Sequence, residues 1–338
     1  MNQDLKTKIL SKVKDDLLDI ETALHENLAP CLDIVSDIAG HLLFSGGKRL
    51  RPLLMVLSAR MCGCNDKNEI DFSIIFEYLH AATLLHDDVV DEAEMRRGKK
   101  AAHAKWSAPK VVLTGDFLLA RSLTIASMTR IPQIIKIIAK ITEEMSQGEI
   151  DQLARKNDIA LTEEEYMDVI RRKTAVLIQG ACRSGAVFAH RRGKNNVLKN
   201  SEEEKREKAL SDYGYNLGIA FQMADDLLDY TADAITMGKN PGADLREGKL
   251  TLPLIAALAK ADRKDRVWME KIIKDSLFNE NDFKNLTAML YKYSGIEYTE
   301  SKAHYHAEKA KSCLDIFEAS ESKDVMMMLA DYAVARKV

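Results

Sequence analysis

Apolar residues recur along almost the whole chain at three-to-four spacing, and alternation with period two is scarce. A chain patterned this way can bury its apolar stripes only by packing helix against helix. Breakers are few, with six prolines and 16 glycines in 338 residues. They fall between the periodic segments, at Gly46-Gly47, Gly98, Pro132, Gly193 and from Gly238 to Gly242. The spacing predicts helices over 4–26, 49–62, 69–92, 109–129, 132–155, 163–190, 202–231, 250–262, 281–294 and 299–336, the last broken near Ser320. Thr162 with Glu165 and Ser201 with Glu204 read as capping boxes, in which side chain and backbone satisfy each other's orphan donors. No fixed-period repeat or long linker divides the chain, so one all-α domain spanning 1–338 is expected.

The composition is 46% hydrophobic and 30% charged, enough to bury a sizeable core under a wet surface. A net charge of −3 gives no reason to expect a nucleic-acid partner, which needs a basic face. The five cysteines, Cys31, Cys62, Cys64, Cys182 and Cys313, are odd in number and form no C-x-x-C pair, which points to reduced thiols in a cytoplasmic protein. Met1 to Leu24 is rich in Lys, Asp and Glu and has no apolar h-region of a signal peptide. No stretch approaches the ~20 uninterrupted apolar residues of a membrane span.

The strongest chemical signal is Leu84-Leu85-His86-Asp87-Asp88-Val89-Val90-Asp91, followed much later by Phe221-Gln222-Met223-Ala224-Asp225-Asp226-Leu227-Leu228-Asp229. Both are D-D-x-x-D inside an apolar helical pattern. Residues four apart share a helix face, so Asp87 projects with Asp91 and Asp225 with Asp229. Ionised carboxylates crowded beside leucines are costly unless a cation lies between them. Oxygen-only ligands favour a hard cation, and Mg²⁺ is usually held by a few carboxylates, waters and substrate phosphates. A lone D-D-x-x-D is at least as often a solvated acidic helix end. Two copies, with basic motifs beside them, make that the minority explanation.

Those basic motifs are Ser45-Gly46-Gly47-Lys48-Arg49-Leu50-Arg51-Pro52 and the Arg96-Arg97-Gly98 loop shortly after Asp91. The first lacks the spacing of a P-loop, which argues against nucleotide binding. Small residues let backbone approach a phosphate, while Lys and Arg supply charge-assisted donors. Either patch alone would be read as a plain basic loop. Beside the aspartates they suggest two anionic groups held close together.

With these motifs assembled, the sequence resembles the trans-type isoprenyl diphosphate synthases. The resemblance rests on G-G-K-R-L-R-P at 46–52, L-L-H-D-D-V-V-D at 84–91, M-R-R-G at 95–98, G-D-F-L-L at 115–119, K-T-A at 173–175, F-Q-M-A-D-D-L-L-D at 221–229 and G-K-x-x-G-A-D-L-x-E-G-K from Gly238 to Lys249. It implies a single large helical bundle around a deep central cavity, the isoprenoid synthase type, and usually a homodimer. It further implies that Asp87, Asp88 and Asp91 with Asp225, Asp226 and Asp229 hold Mg²⁺, as three ions, on an allylic diphosphate; Asp87, Asp91, Asp225 and Asp229 are the expected ligands. Arg96, Lys173 and Lys239 would grip that diphosphate, with Thr174 and Gln222 near the reacting carbon. Lys48, Arg51, His80 and Arg97 would bind isopentenyl diphosphate, assisted by Arg49. His80 stands two turns before Asp87 on the same face, although an isolated histidine there is more often a core residue. One departure is Lys100-Ala101-Ala102-His103-Ala104-Lys105-Trp106, where long-chain members usually read Thr-Ala-Asn before an Ala-x-Trp.

Product length can also be read. Thr83 lies one turn below Asp87, about 6 Å deeper, with Ala82 adjacent. Short-chain members usually place aromatic side chains there as a floor. Small residues predict an open tunnel whose next obstruction is Leu123, Ser127 and Met128, and an all-trans product of about seven to ten isoprene units, octaprenyl as the central expectation from the resemblance. The alternatives are a short-chain farnesyl or geranylgeranyl diphosphate synthase, and a catalytically silent partner subunit. A terpene cyclase would not need Lys48, Arg51 and Arg97. A long polyprenyl product implies transient membrane association without an anchor.

Overall fold

The computed structural model describes residues 2–29, 31–64, 66, 68–96, 98–192, 200–231, 242–274 and 278–335. Arg97 and Lys239 lie outside the described residues. The first half of the fold consists of α1 (Asn2–Leu28), α2 (Asp33–Leu43), α3 (Leu50–Met61), α4 (Asn68–Ser73), α5 (Ile75–Val90), α6 (Ala102–Lys105), α7 (Ala108–Met128) and α8 (Pro132–Ala154). Next come α9 (Glu163–Ile170), a π-helical turn over Arg171–Ala175, α10 (Val176–Arg192) and α11 (Asn200–Thr231). After these run α12 (Ala243–Arg246), α13 (Leu252–Lys260), α14 (Arg263–Lys274), α15 (Glu280–Lys292), α16 (Gly295–Cys313) and α17 (Glu321–Ala335). Among the described residues the only strands are β1 (Met95–Arg96) and β2 (Lys99–Lys100), paired antiparallel with Arg96 opposite Lys99. The expected all-α class is what the chain adopts.

Two apolar clusters organise the helices. The larger gathers α1, α3, α5, α7, α8, α10 and α17, and the smaller gathers α9, α13, α14 and α15. Helix α11 runs through both, giving Tyr213 and Leu217 to the first and Ile219, Met223 and Tyr230 to the second. Each fully buried large aliphatic side chain stabilises this arrangement by about 1.5–3 kcal/mol. The second Asp-rich segment therefore emerges from the middle of the apolar interior.

The π-helical turn is held by close backbone approach from two sides. A Cβ on Gly148 of α8 would lie 2.7 Å from Cβ of Arg172 and 3.0 Å from the nitrogen of Lys173. A Cβ on Gly218 of α11 would lie 2.6 Å from Cα of Ala175. Both glycines let a helix close on the turn that presents Lys173 and Thr174. Such single π turns recur at functional sites because the inserted residue re-aims its neighbours.

Several expectations are corrected. The 69–92 segment divides into α4 and α5 at Ile74, and the last segment starts earlier than expected, at Gly295, while its break falls between Cys313 and Glu321, beside the expected Ser320. Helices α2 and α14 were not expected, since both are short and α14 is rich in charge; yet Asp262 accepts from the backbone of Lys264 and Asp265 as an N-cap. The capping box at Thr162 and Glu165 forms, whereas Ser201 lies inside α11 and caps nothing. Helix α7 is, by length and a mean hydropathy of 1.4, apolar enough to cross a membrane. It carries Asp116 and Arg121 and packs one face against α5.

Candidate active site

Helix α5 delivers Asp87, Asp88 and Asp91 at its C-terminal end, where the helix dipole already disfavours negative charge. Each carboxylate is consequently met by a cation. Asp88 is 1% exposed and accepts from Arg96, at 2.8 Å from Nε and also from Nη2, across the connection from α5 to β1. Asp91 accepts from Lys156 Nζ at 3.1 Å and Lys249 Nζ at 2.9 Å. Burial alone would raise the Asp91 carboxyl, but the two lysines outweigh it and hold it below its ordinary value. Asp87 has Lys173 3.9 Å away and feels Lys249 more weakly, so burial pushes its carboxyl up to about 6 despite both lysines, with Glu149 adding repulsion.

The second segment sits on α11. Asp226 is 2% exposed, accepting from Tyr166 Oη at 2.5 Å and Gln222 Nε2 at 2.8 Å. Burial, then the nearby charge of Asp244, pushes its carboxyl far up. Asp225 is exposed. Asp229, one of the expected metal ligands, is 5% exposed and is met by backbone. Its Oδ1 accepts from the backbone nitrogen of Ala243 at 3.0 Å and its Oδ2 from that of Asp244 at 3.2 Å. These two contacts anchor α12, which carries Asp244 and the approach to Lys249 toward the cleft, and leave each oxygen a second lone pair.

The π-helical turn ties the two segments together. Lys173 Nζ lies 2.6 Å from Glu149 and 2.7 Å from Gln152, facing Asp87, and Thr174 Oγ1 donates to Gln222 Oε1 at 2.8 Å. Lys173, Thr174, Gln222, Asp226, Asp244 and Lys249 line one cleft of about 110 Å³. Through Lys173 and Lys249 the first aspartate segment borders the same cleft as the second. Among the described residues no three His, Cys, Asp or Glu side chains converge on one point to form a metal site. The carboxylates need further oxygen ligands, such as phosphate, to complete a coordination shell.

The basic loop divides. Lys48 is exposed, its Nζ 3.3 Å from Tyr332 Oη and 5.0 Å from that ring's centre. Arg51 and His80 are half-buried. Arg49 is not a substrate-facing group. It is 5% exposed, with Nε 2.7 Å from Glu21, Nη1 2.9 Å from Glu77 and Nη2 2.7 Å from the carbonyl of Leu43. Its donors are consumed inside the fold, where it braces the turn between α2 and α3.

For product length, Ala82 is fully buried and Thr83 half-buried, its hydroxyl donating to the carbonyl of His80. Leu123 and Met128 are 43% and 59% exposed, and Ser127 is exposed too. These three occupy the outer face of α7, so within one chain they close no tunnel floor. Sequence reasoning missed Tyr166 and Lys156, and quoted Asp244 and Lys249 within a motif without giving them a role. Single charges carry no spacing signal of their own, and only tertiary contact reveals their partners.

The polyprenyl synthetase family model matches residues 32–290. The octaprenyl diphosphate synthase of Haemophilus influenzae is 34% identical over 328 residues, covering 97% of this chain and 96% of that protein. A short chain isoprenyl diphosphate synthase of Methanothermobacter thermautotrophicus is 31% identical over 304 residues, covering 88% of this chain and 89% of that protein. Among solved structures, a Caulobacter crescentus CB15 polyprenyl synthase complexed with calcium and isoprenyl diphosphate superposes with a TM-score of 0.89 at 36% identity, covering 98% of each chain. The cleft between two Asp-rich helix segments and the match over most of the chain agree, and the protein belongs to the polyprenyl synthetase family of prenyltransferases.

Proposed function

We propose that the chain condenses isopentenyl diphosphate with an allylic diphosphate, farnesyl or geranylgeranyl, in a Mg²⁺-dependent reaction that yields a long-chain all-trans polyprenyl diphosphate, octaprenyl by preference. The observation that carries this reading is the common cleft, lined by Asp226 together with Lys173, which faces Asp87, and Lys249, which pairs with Asp91. A hard divalent cation fits the donor set, which is oxygen-only, partly buried and balanced by ammonium groups. Asp87, Asp91, Asp225 and Asp229 would hold it. Bound Mg²⁺ supplies Lewis-acid charge to the diphosphate oxygens.

The chain's own groups do the rest. Arg96, Lys173 and Lys239 grip the allylic diphosphate, and Lys48, Arg51, His80 and Arg97 hold isopentenyl diphosphate within reach. The allylic C–O bond breaks, its electron pair leaving with pyrophosphate. The double bond of the second substrate then attacks the allylic cation. Loss of a proton from the adjoining carbon to a pyrophosphate oxygen restores an alkene one isoprene unit longer. Thr174 and Gln222 present oxygen atoms to the developing positive charge. No protein nucleophile takes part.

The small side chains of Ala82 and Thr83 favour a long product over a short-chain one. The exposed apolar side chains of Leu113, Leu123 and Met128 on α7 favour a homodimer that covers this face and could complete a tunnel floor. The protein would work in the cytoplasm and touch a membrane transiently to release an apolar product. Incubation with Mg²⁺, isopentenyl diphosphate and farnesyl diphosphate, followed by chromatography of the dephosphorylated products, is the test. Absence of any elongated prenyl alcohol would overturn the assignment, and a product of fifteen or twenty carbons would select the short-chain reading.

A further inference from the structure

We propose that Tyr166 is a positioning residue for the condensation, setting through Asp226 the direction in which the Gln222 amide and the Thr174 hydroxyl face the cleft. This rests on the prenyltransferase reading above. Three chain segments meet in one unbranched series: Tyr166 from α9, Asp226 and Gln222 from α11, and Thr174 from the π-helical turn. Tyr166 is 3% exposed, and its Oη lies 2.5 Å from Asp226 Oδ2. Asp226 Oδ1 accepts from Gln222 Nε2 at 2.8 Å, and Gln222 Oε1 accepts from Thr174 Oγ1 at 2.8 Å.

The chemistry of each group makes the series directional. An amide nitrogen can only donate and an amide oxygen can only accept. With Nε2 on the carboxylate, Oε1 must face Thr174, whose hydroxyl proton is then committed to Gln222. The lone pairs of Thr174 Oγ1 are left for the cleft, beside Lys173. The short Tyr166–Oδ2 contact holds a proton on that side whether the carboxyl is ionised or protonated at Oδ2, so the opposite amide orientation would set Oε1 against Oδ1, an oxygen with no proton to offer. Tyr166 keeps Oδ1 turned to Gln222 by holding Oδ2. Without that phenol, a buried carboxyl loses one of its two donors, and neither its rotation nor the amide orientation stays fixed. A dry, preorganised dipole aimed where charge develops is the kind of group that speeds an ionising reaction. A tyrosine that merely satisfied a buried carboxyl would affect stability and leave the chemical step alone.

The experiment is a double-mutant cycle on Tyr166→Phe and Thr174→Val, read as the single-turnover rate with Mg²⁺, isopentenyl diphosphate and farnesyl diphosphate. The wild type is measured first, and its failure to condense would sink the reading of function, separately from this one. With an active wild type, Tyr166→Phe is expected to slow the chemical step about ten- to a hundredfold. KM for both substrates should stay within about twofold. Because both changes cut one series, the double variant should be no slower than Thr174→Val alone. A Tyr166→Phe rate within about twofold of wild type, or losses that multiply in the double variant, would overturn the proposal. Should Tyr166→Phe melt too low to assay, Gln222→Met severs the same series at a half-buried position. Its loss must likewise fail to multiply with that of Thr174→Val.

Discussion

Lys249 Nζ lies 2.9 Å from Asp91 Oδ2, joining the last aspartate of the first segment to the chain that follows the second. The pair is largely buried, the lysine side chain being 12% exposed and the aspartate 9%. Lys156 reaches the other oxygen of Asp91 but is 30% exposed, so water screens it more. Lys249→Met should lower kcat/KM for the allylic substrate about a hundredfold, and Lys156→Met by about tenfold or less. Steady-state kinetics on both variants checks this; equal losses would mean that burial does not rank the two lysines.

Asp87 gives the pH dependence. Burial raises its carboxyl in the folded protein to about 6, against about 3.9 in an unfolded chain. The folded state therefore holds this proton more tightly than the unfolded state does. The resulting contribution to stability is complete below about pH 4 and is lost as pH rises through about 6. Asp87→Asn has no proton to lose. The metal-free variant should match wild type near pH 4 and exceed it by about 2–3 kcal/mol near pH 8. Denaturant titrations at the two pH values decide, and parallel behaviour of the two proteins across that range would contradict the burial account.

Arg49 separates structure from substrate binding. A guanidinium that bound diphosphate would, on removal, raise KM for isopentenyl diphosphate and leave stability alone. The observed guanidinium instead neutralises Glu21 and the buried Glu77, from a backbone with φ of 47°, in the left-handed region. Arg49→Met should cost about 3–5 kcal/mol of stability by stranding the buried carboxylate. A thermal melt within about a degree of wild type, with KM raised, would restore the substrate role.

These outcomes show where sequence reading reaches and where it stops. Helical periodicity located most elements because each helix buries an apolar stripe, and that stripe is written locally. The paired D-D-x-x-D motifs marked the site because like charges beside leucines are anomalous in any helix. Arg49 misled because it stands inside a basic motif, while its partners, Glu21 and Glu77, are each 28 residues away along the chain. Tyr166 and Lys156 were invisible on the same ground. Gly148 and Gly218 lie inside helices where glycine is only a cost until the packed π-helical turn is seen.

Product length turns on Ala82. The residue is fully buried on α5, below the aspartates, with Leu85 also buried nearby. If the space beneath Asp87 is a tunnel for the growing chain, Ala82→Tyr fills it with a ring and should stop elongation at fifteen or twenty carbons, with little change in melting temperature. If Ala82 only packs against neighbouring helices, the added ring overpacks the core at a cost of about 1–3 kcal/mol. The protein would then melt several degrees lower and the surviving enzyme would make the wild-type product. Chromatography of the dephosphorylated products, read beside a thermal melt, distinguishes the two. A lowered melting temperature with an unshortened product would remove Ala82 from the control of chain length.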